Sequence, residues 1–284
     1  MGLAGTAKET LQIVAESGYF SPSGRRVALS VQRALEGTVL FRPEELDRLV
    51  AESPSHDGTS SACRIDVTAE TTAEAGARLF REGLRHVLAL NFASAKNPGG
   101  GFLGGAKAQE EDLARCSALY SCQLTQRTYY DANRACGSML YTDHMIYSPD
   151  VPFFRSDRLE LLEEPFELSV LTAPAPNAGE HLRRHRGDGA TVTSVLEARA
   201  ARVLAVARAK NHRVLVLGAW GCGVFRNDPS IVADVFAKHL ASAAFSGAFE
   251  RIVFAVYDRS AAGATLAAFR ARFDGPSDGS ALRP

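Results

Sequence analysis

The stretch that decides the fold runs from His86 to Glu111. It reads His86-Val-Leu-Ala-Leu-Asn-Phe92, then Ala-Ser-Ala-Lys, then Asn97-Pro-Gly-Gly-Gly-Phe-Leu-Gly-Gly-Ala-Lys-Ala-Gln-Glu-Glu111. The first seven residues form an apolar run of strand length, the pattern of a strand covered on both faces. Gly99, Gly100 and Gly101 can then take positive φ and let the backbone approach a ligand with no Cβ in the way. Successive amides in such a loop can form an anion-binding nest. The loop is not a Walker A motif, because Lys107 follows Ala106 and precedes Ala108. It delivers Gln109, Glu110 and Glu111 to the start of a helix predicted over 109–130. Acids there complement the helix dipole. Neighbouring helical positions do not face the same way, so the two glutamates are predicted to divide the work, one binding substrate hydroxyls and one transferring protons.

A second glycine-rich loop follows a second apolar strand. Val214–Gly218 runs into Ala-Trp220-Gly221-Cys222-Gly223-Val224-Phe225-Arg-Asn-Asp-Pro229 and then a helix. The spacing GxxGxG differs from the dinucleotide fingerprint GxGxxG. Free backbone N–H groups near a helix start still attract phosphate, and Phe225 offers a flat face to a sugar or base. Two phosphate-capable loops point to a ligand that contains a diphosphate.

Working outward, strands are predicted over 63–67, 139–148, 167–173 and 251–257. Helices are predicted over 72–82, 193–210 and 230–244. Strands joined by helices of this length indicate a three-layer α/β domain with a mixed sheet. Ligands in such sheets bind beyond the C-terminal ends of the strands, where both glycine loops lie. Upstream, a helix is predicted over 6–17 with Thr6 as its cap and Glu9 three residues on, and another from Pro43 to Val50. Residues 53–61 (SPSHDGTSS) read as a linker. The expected organisation is an N-terminal helical extension (1–58), a catalytic domain (59–273) and a frayed tail (274–284).

Lys+Arg and Asp+Glu each total 32 among 284 residues, with 46% hydrophobic content. This balance argues against a nucleic-acid binder held by a basic surface and against a disordered acidic chain. Only five of the cations are lysines. Five cysteines with no CxxC pair argue against a disulfide framework and favour the cytoplasm. Neither a signal peptide nor a membrane span is legible. Cys116, Cys122, Cys136 and His144 lack zinc-site spacing, so no metal or cofactor is expected.

Gly99–Gly101, seven residues, and then Gln109-Glu110-Glu111 resembles the signature of poly(ADP-ribose) glycohydrolases: GGG, six to eight residues, QEE. Gly221–Phe225 and the strand ending Phe254-Ala-Val-Tyr257-Asp also look like that family, and the length and N-terminal extension resemble its bacterial-type branch. The resemblance covers roughly residues 5–265. It implies a macrodomain-like fold, poly(ADP-ribose) or ADP-ribose as ligand, ADP-ribosylated proteins as substrates, and a place in ADP-ribosylation reversal and the DNA damage response. With the charge balance and the lack of an apolar span, the expected protein is a monomer that binds neither nucleic acid nor membrane. By the same resemblance Glu111 is the catalytic acid and Glu110 its partner on the ribose hydroxyls. Gln109 contacts the neighbouring sugar, and Asn97 with Gly99, Gly100 and Gly101 holds the scissile ribose. Gly221, Cys222, Gly223, Val224 and Phe225 wrap the diphosphate, and Tyr257 stacks on adenine.

Hydrolysis of a ribose–ribose bond needs an acid for the leaving oxygen and a base for water. Most glycosidases use two carboxylates on opposite sides of the bond. Adjacent glutamates do not suit that arrangement, so Glu111 is expected to perform both steps in turn. Two alternatives remain open at this stage: a non-catalytic ADP-ribose reader and a hydrolase of mono-ADP-ribosylated targets.

Overall fold

The computed structural model describes residues 2–52 and 63–274; the predicted linker and nearly all of the predicted tail lie outside them. The chain begins with α1 (Leu3–Ala15), β1 (Gly18–Phe20), β2 (Arg26–Ala28), α2 (Val31–Gly37), β3 (Val39–Phe41) and α3 (Pro43–Ala51). Next come β4 (Arg64–Thr68), α4 (Thr72–Arg81), β5 (Val87–Phe92), a 3-10 turn (Phe102–Gly104), α5 (Gln109–Cys116), α6 (Leu119–Leu124) and α7 (Arg127–Ala135). The remainder is β6 (Met145–Arg155), β7 (Leu161–Ala173), α8 (Ala178–Arg184), α9 (Gly189–Ala209), β8 (Val214–Gly218), α10 (Pro229–Leu240), β9 (Arg251–Ala255) and α11 (Ala264–Phe273).

Seven described strands form one mixed sheet in the order β3-β6-β7-β5-β8-β9-β4. From β7 to β4 every neighbour is parallel, and β6 and β3 are added antiparallel at one side. Strand side chains alternate between faces, and β5 shows what that produces. Leu88 and Leu90 enter a core shared with α9 and α10, while Val87 and Ala89 enter a core shared with α1, α2, α4 and α5. Helices therefore cover both faces, giving the macrodomain-like three-layer arrangement. Part of the N-terminal segment is woven into it, because β3 pairs with β6 and Leu46 of α3 is buried in the α9 core. No described helix is long and apolar enough to cross a membrane.

Several elements differ from the sequence reading. Helix α1 starts at Leu3, and Thr6 is buried inside it with its N–H already bonded to Gly2 O, so Thr6 is not the cap. The single helix expected over 109–130 is three helices. Ser117 is fully extended (φ −148°), bridges to Phe153 and turns its hydroxyl back onto Leu113 O. That tertiary bridge to β6 overrides local helix propensity. Strand β6 begins at Met145 rather than Met139, because residues 139–143 serve as partners: Arg199 holds both Leu140 O and Asp143. Helices α8 and α11 were not anticipated.

Candidate active site

Strands β5, β8 and β9 are adjacent and parallel, so the loops after Phe92, Gly218 and Ala255 leave the sheet at the same edge. They open into a cleft of about 930 Å³ that also takes in the N-termini of α4 and α5. The α4 terminus is fixed by reciprocal bonds between Thr71 and Glu74. Every predicted site residue except Gly99 lines the cleft. Gly99 sits behind it, where a Cβ would meet Tyr120 and Phe102.

Glu110 and Glu111 follow each other on the first turn of α5 and have different surroundings. Glu110 is 3% exposed. Its Oε1 accepts from Asn91 Nδ2 (3.1 Å) and Gln123 Nε2 (2.8 Å), and its Oε2 accepts from Ser94 N–H (2.7 Å). Burial pushes its carboxyl up to about 7, against the pull of those three donors and helped by the charge of Glu111. Glu111 is 9% exposed, and its Oε1 accepts from Gly101 N–H at 2.8 Å. Its Oε2 has no partner among the described residues. One carboxylate is therefore built into the scaffold on three sides, and the other keeps an oxygen for the cleft.

The first loop is not an open anion nest. Gly99 N–H goes to Gln123 Oε1 (2.8 Å), Gly100 N–H to Asn97 O (3.0 Å) and Gly101 N–H to Glu111. The anion this loop cradles is the protein's own carboxylate. Positive φ at Gly99 and Gly100 (60° and 57°) aims the amides this way. Asn97 presents an exposed side chain at the rim. Gln109 lines the cleft, but its amide is engaged at both ends: Oε1 accepts from Phe92 N–H (2.8 Å), and Nε2 donates to Leu90 O (2.8 Å) and Thr72 Oγ1 (3.1 Å).

The second loop is the reverse. Trp220 is buried beneath it and donates to Ala173 O at 3.1 Å. Asn227 holds its two ends together, donating from its side chain to Gly221 O and Pro176 O. Over this base, the N–H groups of Gly223, Val224 and Phe225 have no partner among the described residues. Val224 is 83% exposed, and the Phe225 ring packs against Tyr141 with centroids 5.8 Å apart. The Cys222 thiol is pushed up to about 12 by burial, so it is an inert wall group. Tyr257, 52% exposed, lies just past β9 with the Arg259 guanidinium 4.9 Å from its ring.

Sequence reasoning missed Asn91, Ser94, Gln123 and Thr172, which join Glu110 to β5, β7 and α6. Asn91 carried a signal, being the polar residue of the otherwise apolar β5; Thr172 stands in β7 with Glu163, Glu164, Glu167 and Ser169 and carried none. Among the described residues, no group of three or more His, Cys, Asp or Glu side chains is placed to hold a metal ion.

Residues 7–156 match the family described as microbial-type PARG, catalytic domain. The solved structure of poly(ADP-ribose) glycohydrolase (PARG) from Thermomonospora curvata is 46% identical, with 95% of this chain and 99% of that chain covered and a TM-score of 0.90. The same protein bound to the inhibitor ADP-HPD matches with equal identity and coverage and a TM-score of 0.87. The Deinococcus radiodurans enzyme in complex with ADP-ribose is 46% identical over 87% of this chain and 98% of that one, with a TM-score of 0.80. Comparison with curated proteins finds no match. A family match over more than half of the chain, with two relatives sharing its fold at this identity, has one meaning: the chain belongs to the microbial-type poly(ADP-ribose) glycohydrolases.

Proposed function

We propose that this cleft hydrolyses the ribose–ribose O-glycosidic bonds of poly(ADP-ribose) to release ADP-ribose, with Glu111 as general acid and then base. The observation that carries the assignment is the unpartnered Oε2 of Glu111, held at the cleft wall by a single backbone bond through Oε1. In the first half-reaction, Glu111 gives its proton to the departing ribose oxygen as the C1–O bond breaks. In the second, it takes a proton from the water that adds to the oxocarbenium carbon. Both steps use one carboxyl, so no second carboxylate is needed across the bond.

Glu110 binds the ribose. A carboxylate offers about four lone-pair positions, and three are filled by Asn91, Gln123 and Ser94. One remains for a ribose hydroxyl. Asn97 and the glycine loop bound the ribose pocket, and Gln109 serves by locking the start of α5 to the end of β5. The free amides of Gly223, Val224 and Phe225 suit the diphosphate, Phe225 the adjoining ribose, and Tyr257 the adenine. The inhibitor and ADP-ribose held by the two relatives support a ligand of this class. We place the protein in the cytoplasm on the strength of its five free cysteines.

The test is incubation with poly(ADP-ribose) of defined length and chromatography of the products. Release of ADP-ribose is expected. Binding without release would make the protein a reader, and faster turnover of mono-ADP-ribosylated protein would make it a mono-ADP-ribosyl hydrolase.

Two further outcomes follow from the charges. Glu110 accepts the hydroxyl in its ionised form, so kcat/KM should show a rising limb near pH 7. Absence of a rising limb between pH 5 and 8 would exclude that role. Lys96, Lys107, Arg158 and Arg259 line the cleft without an ion-pair partner among the described residues. With roughly four cations and otherwise neutral amides, log affinity for polymer should fall against log salt with a slope of only about −3. A slope several times steeper would assign the binding to a basic surface instead.

A further inference from the structure

One buried side chain bonds both the glycine loop and Glu110 at the start of α5. Gln123, on α6, is fully buried. Its Oε1 accepts from Gly99 N–H at 2.8 Å, and its Nε2 donates to Glu110 Oε1 at 2.8 Å. The amide thus bridges the glycine loop, which carries Gly101 and through it Glu111, to the carboxylate beside it. Behind this bridge stands Thr172 on β7, whose hydroxyl accepts from Asn91 Nδ2 (3.1 Å) and Gln123 Nε2 (3.4 Å). Asn91 Oδ1 is buried with no partner, so Asn91 meets Glu110 with its amino group alone.

We propose that Gln123 is a positioning residue for the hydrolytic site: its single amide sets the place of the glycine loop and holds Glu110 as an oriented hydrogen-bond acceptor. The proposal rests on the hydrolase reading above. A glutamine suits the post because it supplies an acceptor and a donor at the end of one flexible stem. A carboxylate there would have no hydrogen to give Glu110, and an aliphatic residue would strand both the Gly99 N–H and one carboxylate lone pair.

Because the donor favours the ionised form of Glu110, its loss leaves a signature in the pH profile. The other titratable groups facing Glu110 are Glu111 on its own helix and Tyr129 and Tyr130 on α7. Burial holds both tyrosines well above their usual range, so they stay neutral across the working interval. Gln123 donates to Glu110 and makes no bond to Glu111, so Glu110 is the group whose limb responds. A hydrogen bond to a buried charge is strong enough for its removal to raise the limb by about one pH unit.

The experiment is the pH profile of kcat/KM on polymer for wild type, Gln123→Met and Gln123→Asn. Methionine keeps the length and volume without the polar ends, and asparagine is too short to span both partners. In each variant the rising limb should move up by about one pH unit, so that kcat/KM relative to wild type falls about fivefold at pH 7 and the ratio returns to near one by pH 9. The same proportional loss at every pH, with the limb unmoved, would overturn the proposal and leave Gln123 as ordinary packing. If Gln123→Met does not fold, the asparagine variant carries the measurement. Wild-type release of ADP-ribose tests the hydrolase reading separately. Titration of the carboxyl carbon of Glu110 by NMR, assigned with Glu110→Gln, reports the shift without turnover.

Discussion

Glu111→Gln should lower kcat on poly(ADP-ribose) by about 10³-fold, within the range of general acid–base catalysis, while affinity for ADP-ribose changes by no more than about threefold. The substitution keeps the oxygen that accepts Gly101 N–H and removes the proton that the leaving ribose must receive. Exchanging a carboxyl for an amide at the first turn of α5 changes the helix-dipole interaction by at most about 1 kcal/mol. That is too little to unfold a domain with buried cores on both faces of its sheet. Loss of turnover with binding retained therefore separates chemistry from folding. Turnover within tenfold of wild type would remove Glu111 from the mechanism.

The second large effect comes from a residue with no side chain. A Cβ on Gly100 would collide with Glu111 Oε1 and lie 3.2 Å from Glu110 Oε2, and the backbone there has φ +57°. Gly100→Ala therefore pushes on both carboxylates at once and adds about 1–2 kcal/mol of left-handed strain. Displacing a reacting group by about 1 Å is enough to cost roughly 10²-fold in rate, and that is the expected fall in kcat. Gly104→Ala, four residues on in the same loop, is the control: a Cβ there meets nothing within 4 Å. If both variants kept wild-type kcat, the fit between loop and carboxylates would not matter to catalysis.

The architecture was readable where side-chain pattern alone decides it. The apolar run of β5 is apolar because it meets a core on each face, and the two glycine loops fell where a parallel sheet places its ligands. The pairing of Glu110 with Gln123 was not readable. Thirteen residues of continuous helix would separate them by about 20 Å. They meet only because Ser117 leaves the helix to bridge Phe153, a contact across 36 positions of chain with no local signature. The division between the loops was hidden for a related reason. Both are glycine-rich, and composition does not say whose acceptors their amides will find. In the first the acceptors are Gln123, Asn97 and Glu111; the second keeps its amides open. Tyr257 was read as the end of a strand, but β9 stops at Ala255, and this frees the ring to project at the cleft.

The open amides of Gly223, Val224 and Phe225 have a consequence for anyone who surveys this cleft by substitution. Replacing any of these residues with alanine leaves its N–H in place, so an alanine scan would pass over the diphosphate contacts and credit the affinity to their neighbours. Only chemistry on the main chain, such as an amide-to-ester exchange or a proline, deletes such a donor. A ligand that draws its grip from these groups would also be hard to escape by point mutation, since nearly every codon encodes the same hydrogen.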